Sequence, residues 1–219
     1  MKKVKGFVSL LVILCLIICT AGCADKKTQS QENINNPQEV NEETSGENKT
    51  EQEEMEILEK AAEKSGTFFS DIPKELTFAD KERNGKTTLT LQDDGSFVGS
   101  YEAKGDDKEK TVYRCSFSGK FSTPFPLDAY TYISVIENMR TQGTTGEESI
   151  KDGTKYINTP PYGIEKAQEV VFYIPGTPIS SMNEKIVSHV KEAYNAKDVL
   201  PDGVYVLYSF NDEAAFSGK

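Results

Sequence analysis

TTLTLQDDGSFVGSY, residues 87–101, and YRCSFSGKF, residues 113–121, decide the fold class of this chain. In the first stretch Leu89 and Leu91 lead into Asp94-Gly95, and Phe97, Gly99 and Tyr101 resume the same period of two. Side chains alternate between the two faces of a strand, and Asp-Gly between alternating runs is a strong hairpin signal. In the second stretch Tyr113, Cys115, Phe117, Gly119 and Phe121 share one face, while Arg114, Ser116, Ser118 and Lys120 share the other. Such a strand has one buried side and one wet side.

Residues 129–136, 155–158, 170–174 and 204–210 have the aromatic and β-branched content of further strands, and Pro175-Gly176 supplies a turn. One helix interrupts them. It is expected to start at Ser181, with Glu184 three residues on as the reciprocal partner of a capping box, and Met182, Ile186, Val190 and Tyr194 form its apolar stripe. The pattern predicts a mainly β domain: an antiparallel meander closing into a lipocalin-like, calycin-type barrel, with one amphipathic helix before the last strand. An open, curled antiparallel sheet backed by the helix, an α+β arrangement, is the alternative. The barrel reading is a fold-level analogy, because the Gly-x-Trp signature of lipocalins is missing; the chain has no Trp, and Gly85 is followed by Lys86 and Thr87. Residues 137–154, with Gly143, Gly146 and Gly153, show no strand pattern and read as a long exposed loop.

Towards the N-terminus, residues 51–64 read as a short helix with Met55, Leu58, Ala61 and Ala62 on one side and Gly66 available to end it. The stretch before it, residues 24–54, has one Ile, one Val and no aromatic residue, too little apolar surface to offset the entropy of folding. Residues 24–56 hold ten acids against three lysines, and residues 57–219 hold 25 acids against 19 Lys and Arg. That acidity argues against nucleic acid as a natural partner.

At the extreme N-terminus, Lys2, Lys3 and Lys5 precede an apolar run from Phe7 to Cys19, which gives way to Thr20, Ala21, Gly22 and Cys23. This is the layout of a signal peptide, and the run is shorter than the roughly 20 residues that span a bilayer. Thr20-Ala21-Gly22-Cys23 resembles the lipoprotein processing site Leu-(Ala/Ser/Thr)-(Gly/Ala)-Cys, with Thr20 standing where Leu is usual. The resemblance implies recognition of Thr20, Ala21 and Gly22 by the signal peptidase, cleavage before Cys23, and a diacylglyceryl group on that cysteine. Two acyl chains of the palmitate type hold a protein stably at the extracytoplasmic face of the cell membrane. The expected organisation is a signal peptide over residues 1–22, a lipidated cysteine and disordered acidic tether over 23–54, a short helix over 55–66 and a β-rich domain over 67–219.

Several motifs recur in a fixed order: Asp94-Gly95-Ser96-Phe97-x-Gly99-x-Tyr101, Cys115-x-Phe117-Ser118-Gly119-Lys120-Phe121, Tyr130-Thr131-Tyr132, and Tyr173-Ile174-Pro175-Gly176-Thr177-Pro178. Together they resemble a group of surface lipoproteins and related domains of Firmicutes, clostridia in particular, over about residues 72–178. The resemblance implies the address and a β-rich domain, and it carries no activity with it.

No residue is assigned a catalytic role, and no enzyme activity or cofactor is expected. The chain has one histidine, His189, in the middle of the expected helix, and Cys115 lies on an apolar face that disfavours its thiolate. Gly-x-Ser-x-Gly, Gly-x-Gly-x-x-Gly and the Walker loop are all missing. One histidine and one unacylated cysteine fall short of the ligands of a tetrahedral zinc site. Asp93, Asp94, Asp106 and Asp107 lack the alternate spacing of a calcium loop, so no metal site is assigned. The domain is also too short, and too poor in alternating helices, for a two-lobed transporter receptor.

The aromatic side chains carry the remaining information. Phe97, Tyr101, Tyr113, Phe117, Tyr130 and Tyr132, with Cys115, are core in a filled barrel and ligand-lining in a barrel with a cavity, where tyrosine hydroxyls act as polar handles. The function expected is binding of a small apolar or amphipathic ligand. The alternative is an interaction module that docks on another envelope protein or on the cell wall.

Overall fold

The computed structural model describes residues 47–105 and 110–219. Cys23, its processing site, most of the acidic tether, Asp106 and Asp107 lie outside the described residues. In chain order the elements are α1 (Glu47–Ser65), α2 (Phe68–Asp71), β1 (Glu75–Asp80), β2 (Gly85–Leu91), β3 (Ser96–Lys104), β4 (Thr111–Phe121), β5 (Phe125–Pro126), β6 (Thr131–Gln142), β7 (Glu148–Lys151), β8 (Thr154–Asn158), β9 (Glu169–Tyr173), a 3-10 turn (Ile179–Ser181), α3 (Glu184–Tyr194), β10 (Tyr205–Ser209) and β11 (Ala214–Gly218).

Strands β1, β2, β3, β4, β6, β9, β10 and β11 form an antiparallel barrel in that order. It closes where β1 meets β11, with Thr77 opposite Ser217, and the remaining seam joins β4 to β6. The fold is therefore the closed, lipocalin-like barrel and not the open curled sheet. The helix α3 comes before the final pair of strands. Neither β1 nor β11 stands out in the sequence, because Glu-Leu-Thr-Phe-Ala-Asp is short and Ala-Ala-Phe-Ser-Gly is built mostly of small residues.

An eight-stranded barrel is just wide enough for its own side chains to fill. Here the interior is packed by Leu89, Leu91, Phe97, Phe117, Phe121, Phe172 and Phe216, each at most 2% exposed. Helix α2 plugs one end: the ring of Phe68 lies 4.7 Å from Tyr132 and 5.2 Å from Phe172, and Phe69 lies 6.0 Å from Phe121. Burying one such side chain is worth about 1.5–3 kcal/mol, so the plug is a substantial part of the core.

Residues that alternate with this lining, Val171, Tyr173, Val206, Tyr208 and Ala215, form a second cluster outside the wall. Ile186 and Val190 of α3 cover it. The start of α3 differs from the capping-box expectation: its N-cap is Asn183, whose side chain accepts from the Lys185 N–H at 3.0 Å. Ser181 instead ends the 3-10 turn and donates to the Pro178 carbonyl at 2.8 Å. Met182 follows in extended conformation, which separates Ser181 from the helix.

The expected loop over residues 137–154 is largely strand. Strand β6 runs on to Gln142 and β7 occupies Glu148–Lys151, with side chains on β7 exposed throughout. Polar residues on both faces erase the period-two signal that sequence patterning relies on. Strand β4 pairs with β6 only over residues 116–121, and its first part, residues 111–114, pairs in parallel with β8. The β7–β8 hairpin thus continues the wall at the rim opposite α2.

Candidate functional site

That rim is covered by the connection from β8 to β9. The Thr159 N–H donates to the Arg114 carbonyl at 2.8 Å, and the Tyr162 carbonyl accepts from the buried Thr87 hydroxyl at 2.6 Å. Ile164 then drops into the barrel and is fully buried. Further on, the Lys166 N–H donates to Asp212 in the turn between β10 and β11 at 3.1 Å.

Between this connection and the strands lies a cleft of about 420 Å³, lined by Arg83, Tyr101, Ala103, Tyr113, Thr159 and Tyr162, with Lys104 and Gly105 at its edge. Its size falls in the range of small-molecule sites. Tyr101 is 1% exposed, and its ring meets Tyr162 edge-on at 5.0 Å. The Arg83 guanidinium sits 4.2 Å above the Tyr162 ring, a cation–π contact.

Asp80 organises the polar side of this group. It is only 4% exposed, and its carboxylate accepts from the Arg83 side chain at 3.1 Å, the Arg83 N–H at 3.2 Å and the Tyr101 hydroxyl at 3.4 Å. Burial and the adjacent Asp80 charge push the Tyr101 hydroxyl up to about 12. Arg83 is thereby held in place by a partner on one side and a ring on the other. Thr159 differs, since its Oγ1 is buried and has no hydrogen-bond partner among the described residues. A buried hydroxyl left in that state costs about 1–3 kcal/mol.

The seven side chains expected to line a ligand separate into three groups. Tyr101 and Tyr113 do line the rim cleft. Phe97, Cys115, Phe117 and Tyr132 are packed into the barrel interior. Tyr130 lies outside the opposite end, where its ring covers Gly176. Sequence patterning misses Arg83, Thr159 and Tyr162, because they belong to the turn Lys-Glu-Arg-Asn-Gly and the irregular segment Thr-Pro-Pro-Tyr-Gly, where no periodicity marks a buried face.

Burial pushes the Cys115 thiol up and lowers the basicity of His189. The two belong to different layers, Cys115 inside the barrel and His189 on α3 outside it. Lys74 pairs with Asp93, while Asp94 accepts from the Ser96 hydroxyl at 2.6 Å and from Lys120 at 3.4 Å. No group of three or more His, Cys, Asp and Glu among the described residues is arranged to hold a metal ion. No family model, no curated protein and no solved structure matches the chain.

Proposed function

We propose that the protein is a lipoprotein, anchored through Cys23 on the extracytoplasmic face of the membrane, whose barrel binds a small amphipathic molecule in the rim cleft. The anchor rests on the signal-peptide layout and Thr20-Ala21-Gly22-Cys23. The binding reading is carried by one observation: a cleft walled by Tyr101, Tyr113 and Tyr162 is also lined by Thr159, whose hydroxyl is buried and unpartnered. A ligand with a flat apolar body against the tyrosines and a polar group at Thr159 satisfies both features. The filled interior favours the rim over a deep internal chamber.

N-phenyl-1-naphthylamine, a fluorescent amphiphile, tests the site. Its emission is expected to rise and saturate on the intact chain, and Tyr113→Ala is expected to weaken binding about tenfold. An unchanged titration in Tyr113→Ala removes the rim cleft as the site. Labelling with radioactive palmitate tests the anchor, which requires that Cys23→Ala lose both label and membrane attachment.

A further inference from the structure

A second concavity lies at the other end of the domain, between α1 and the connection from β5 to β6. It measures about 440 Å³, and Ile57, Leu58, Leu127, Ala129, Tyr130 and Pro178 form its apolar lining. Ile57, Leu58, Leu127 and Tyr130 remain 44%, 38%, 49% and 42% exposed. Met55 on the same helix and Phe125 on β5, the strand that packs beside α1, are 60% and 67% exposed. Helix α1 buries Ala61 against the domain and leaves its larger apolar side chains uncovered. Large apolar groups gathered in one place, and not scattered singly, mark an interaction surface.

Charge decides what fits there. The charged side chains that line the groove are Glu54 and Asp128, both acidic, while Glu56 elsewhere on α1 is paired with Lys60 at 2.7 Å. A second copy of this face brings acid against acid, and an anionic lipid surface is repelled in the same way. A groove between a helix and a strand connection, apolar along its floor and acidic at its rim, matches an amphipathic helix with basic flanks. We infer that this groove docks a basic amphipathic helical segment of another protein, independently of any ligand in the rim cleft.

The probe is a fluorescein-labelled 18-residue peptide with Leu at i, i+3, i+4 and i+7 spacing and Lys elsewhere, measured by anisotropy against the intact chain in detergent. A matched peptide with Glu in place of Lys is the comparison. The Lys peptide is expected to bind, the Glu peptide is not, and Leu127→Ser or Ile57→Ser is expected to raise the Kd about tenfold. Phe210→Ser removes an exposed apolar side chain elsewhere and is expected to leave the Kd unchanged; the variants' melting temperatures establish that each is folded. Equal binding to Leu127→Ser and wild type, equal loss in Phe210→Ser, or no binding overturns the inference. So does self-association through this face in light scattering, or capture by phosphatidylglycerol vesicles that Leu127→Ser abolishes.

Discussion

The ring of Phe117 lies against Gly99, its cross-strand partner, in the space where any other residue would place a Cβ. The neighbouring pair repeats the relationship in reverse, with Phe97 over Gly119. Two large rings and two missing side chains therefore fill the β3–β4 wall, and the rings meet at 6.4 Å in an edge-to-face contact. Gly99→Ala is expected to overpack this wall and destabilise the domain by about 1–3 kcal/mol in urea unfolding. Phe117→Leu in the same chain gives the added methyl room, so the double variant should lose less than the sum of the single losses.

Thr159→Val tests whether the rim cleft is built for a ligand. It removes an unpartnered buried hydroxyl while keeping the shape of the side chain. The ligand-free protein is expected to gain about 1 kcal/mol in denaturant unfolding, while binding of N-phenyl-1-naphthylamine weakens. A loss of stability, or unchanged binding, counts against a role for that hydroxyl.

His189 gives the fold an acid-side dependence. Burial first, and Lys81 second, hold its basicity below the ordinary 6.5, with Glu192 opposing. The unfolded chain thus takes up the proton more readily, and stability rises with pH across this window. Full stability is expected above about pH 6.5, with loss as pH falls through the lower, folded value. His189→Gln should flatten that part of the curve in thermal melts between about pH 4 and 8, and an unchanged slope contradicts the assignment.

Tyr101 contributes to the alkaline side. Its hydroxyl is raised from 10.0 to about 12 by burial and by Asp80, so the folded state resists losing that proton. Stability from this group is complete below pH 10 and is lost as pH climbs towards 12. Burial also raises Tyr132, Tyr173, Tyr205 and Tyr208, so ultraviolet absorbance of the tyrosinate should show a late-titrating group of tyrosines whose amplitude Tyr101→Phe reduces by one residue.

Much of the barrel was legible because its central hairpin obeys strict alternation. Phe97, Tyr101, Cys115, Phe117 and Phe121 face inward as the period of two requires. The rest was hidden for local reasons. Strand β11 offers Ala214, Ala215 and Gly218, which carry little hydrophobic contrast, and the end of β6 is polar on both faces. The cleft was half legible: Tyr101 and Tyr113 sit on strands with a readable face, whereas Arg83, Thr159 and Tyr162 arrive from a turn and from an irregular connection. The packing of Ile164 into the barrel, together with the hydrogen bonds at Thr159, Tyr162 and Lys166, brings that connection over the rim. Cys23 is the converse case, proposed as the lipidation site from a local motif alone.

Native mass spectrometry of the mature protein, extracted in mild detergent from the cells that make it, tests the central claim most directly. The expected spectrum shows the lipidated chain with a reproducible non-covalent adduct, and Tyr162→Ala, folded by its melting temperature, without it. A chain that is ligand-free in every preparation, or one that carries the same adduct after Tyr162→Ala, contradicts binding in the rim cleft.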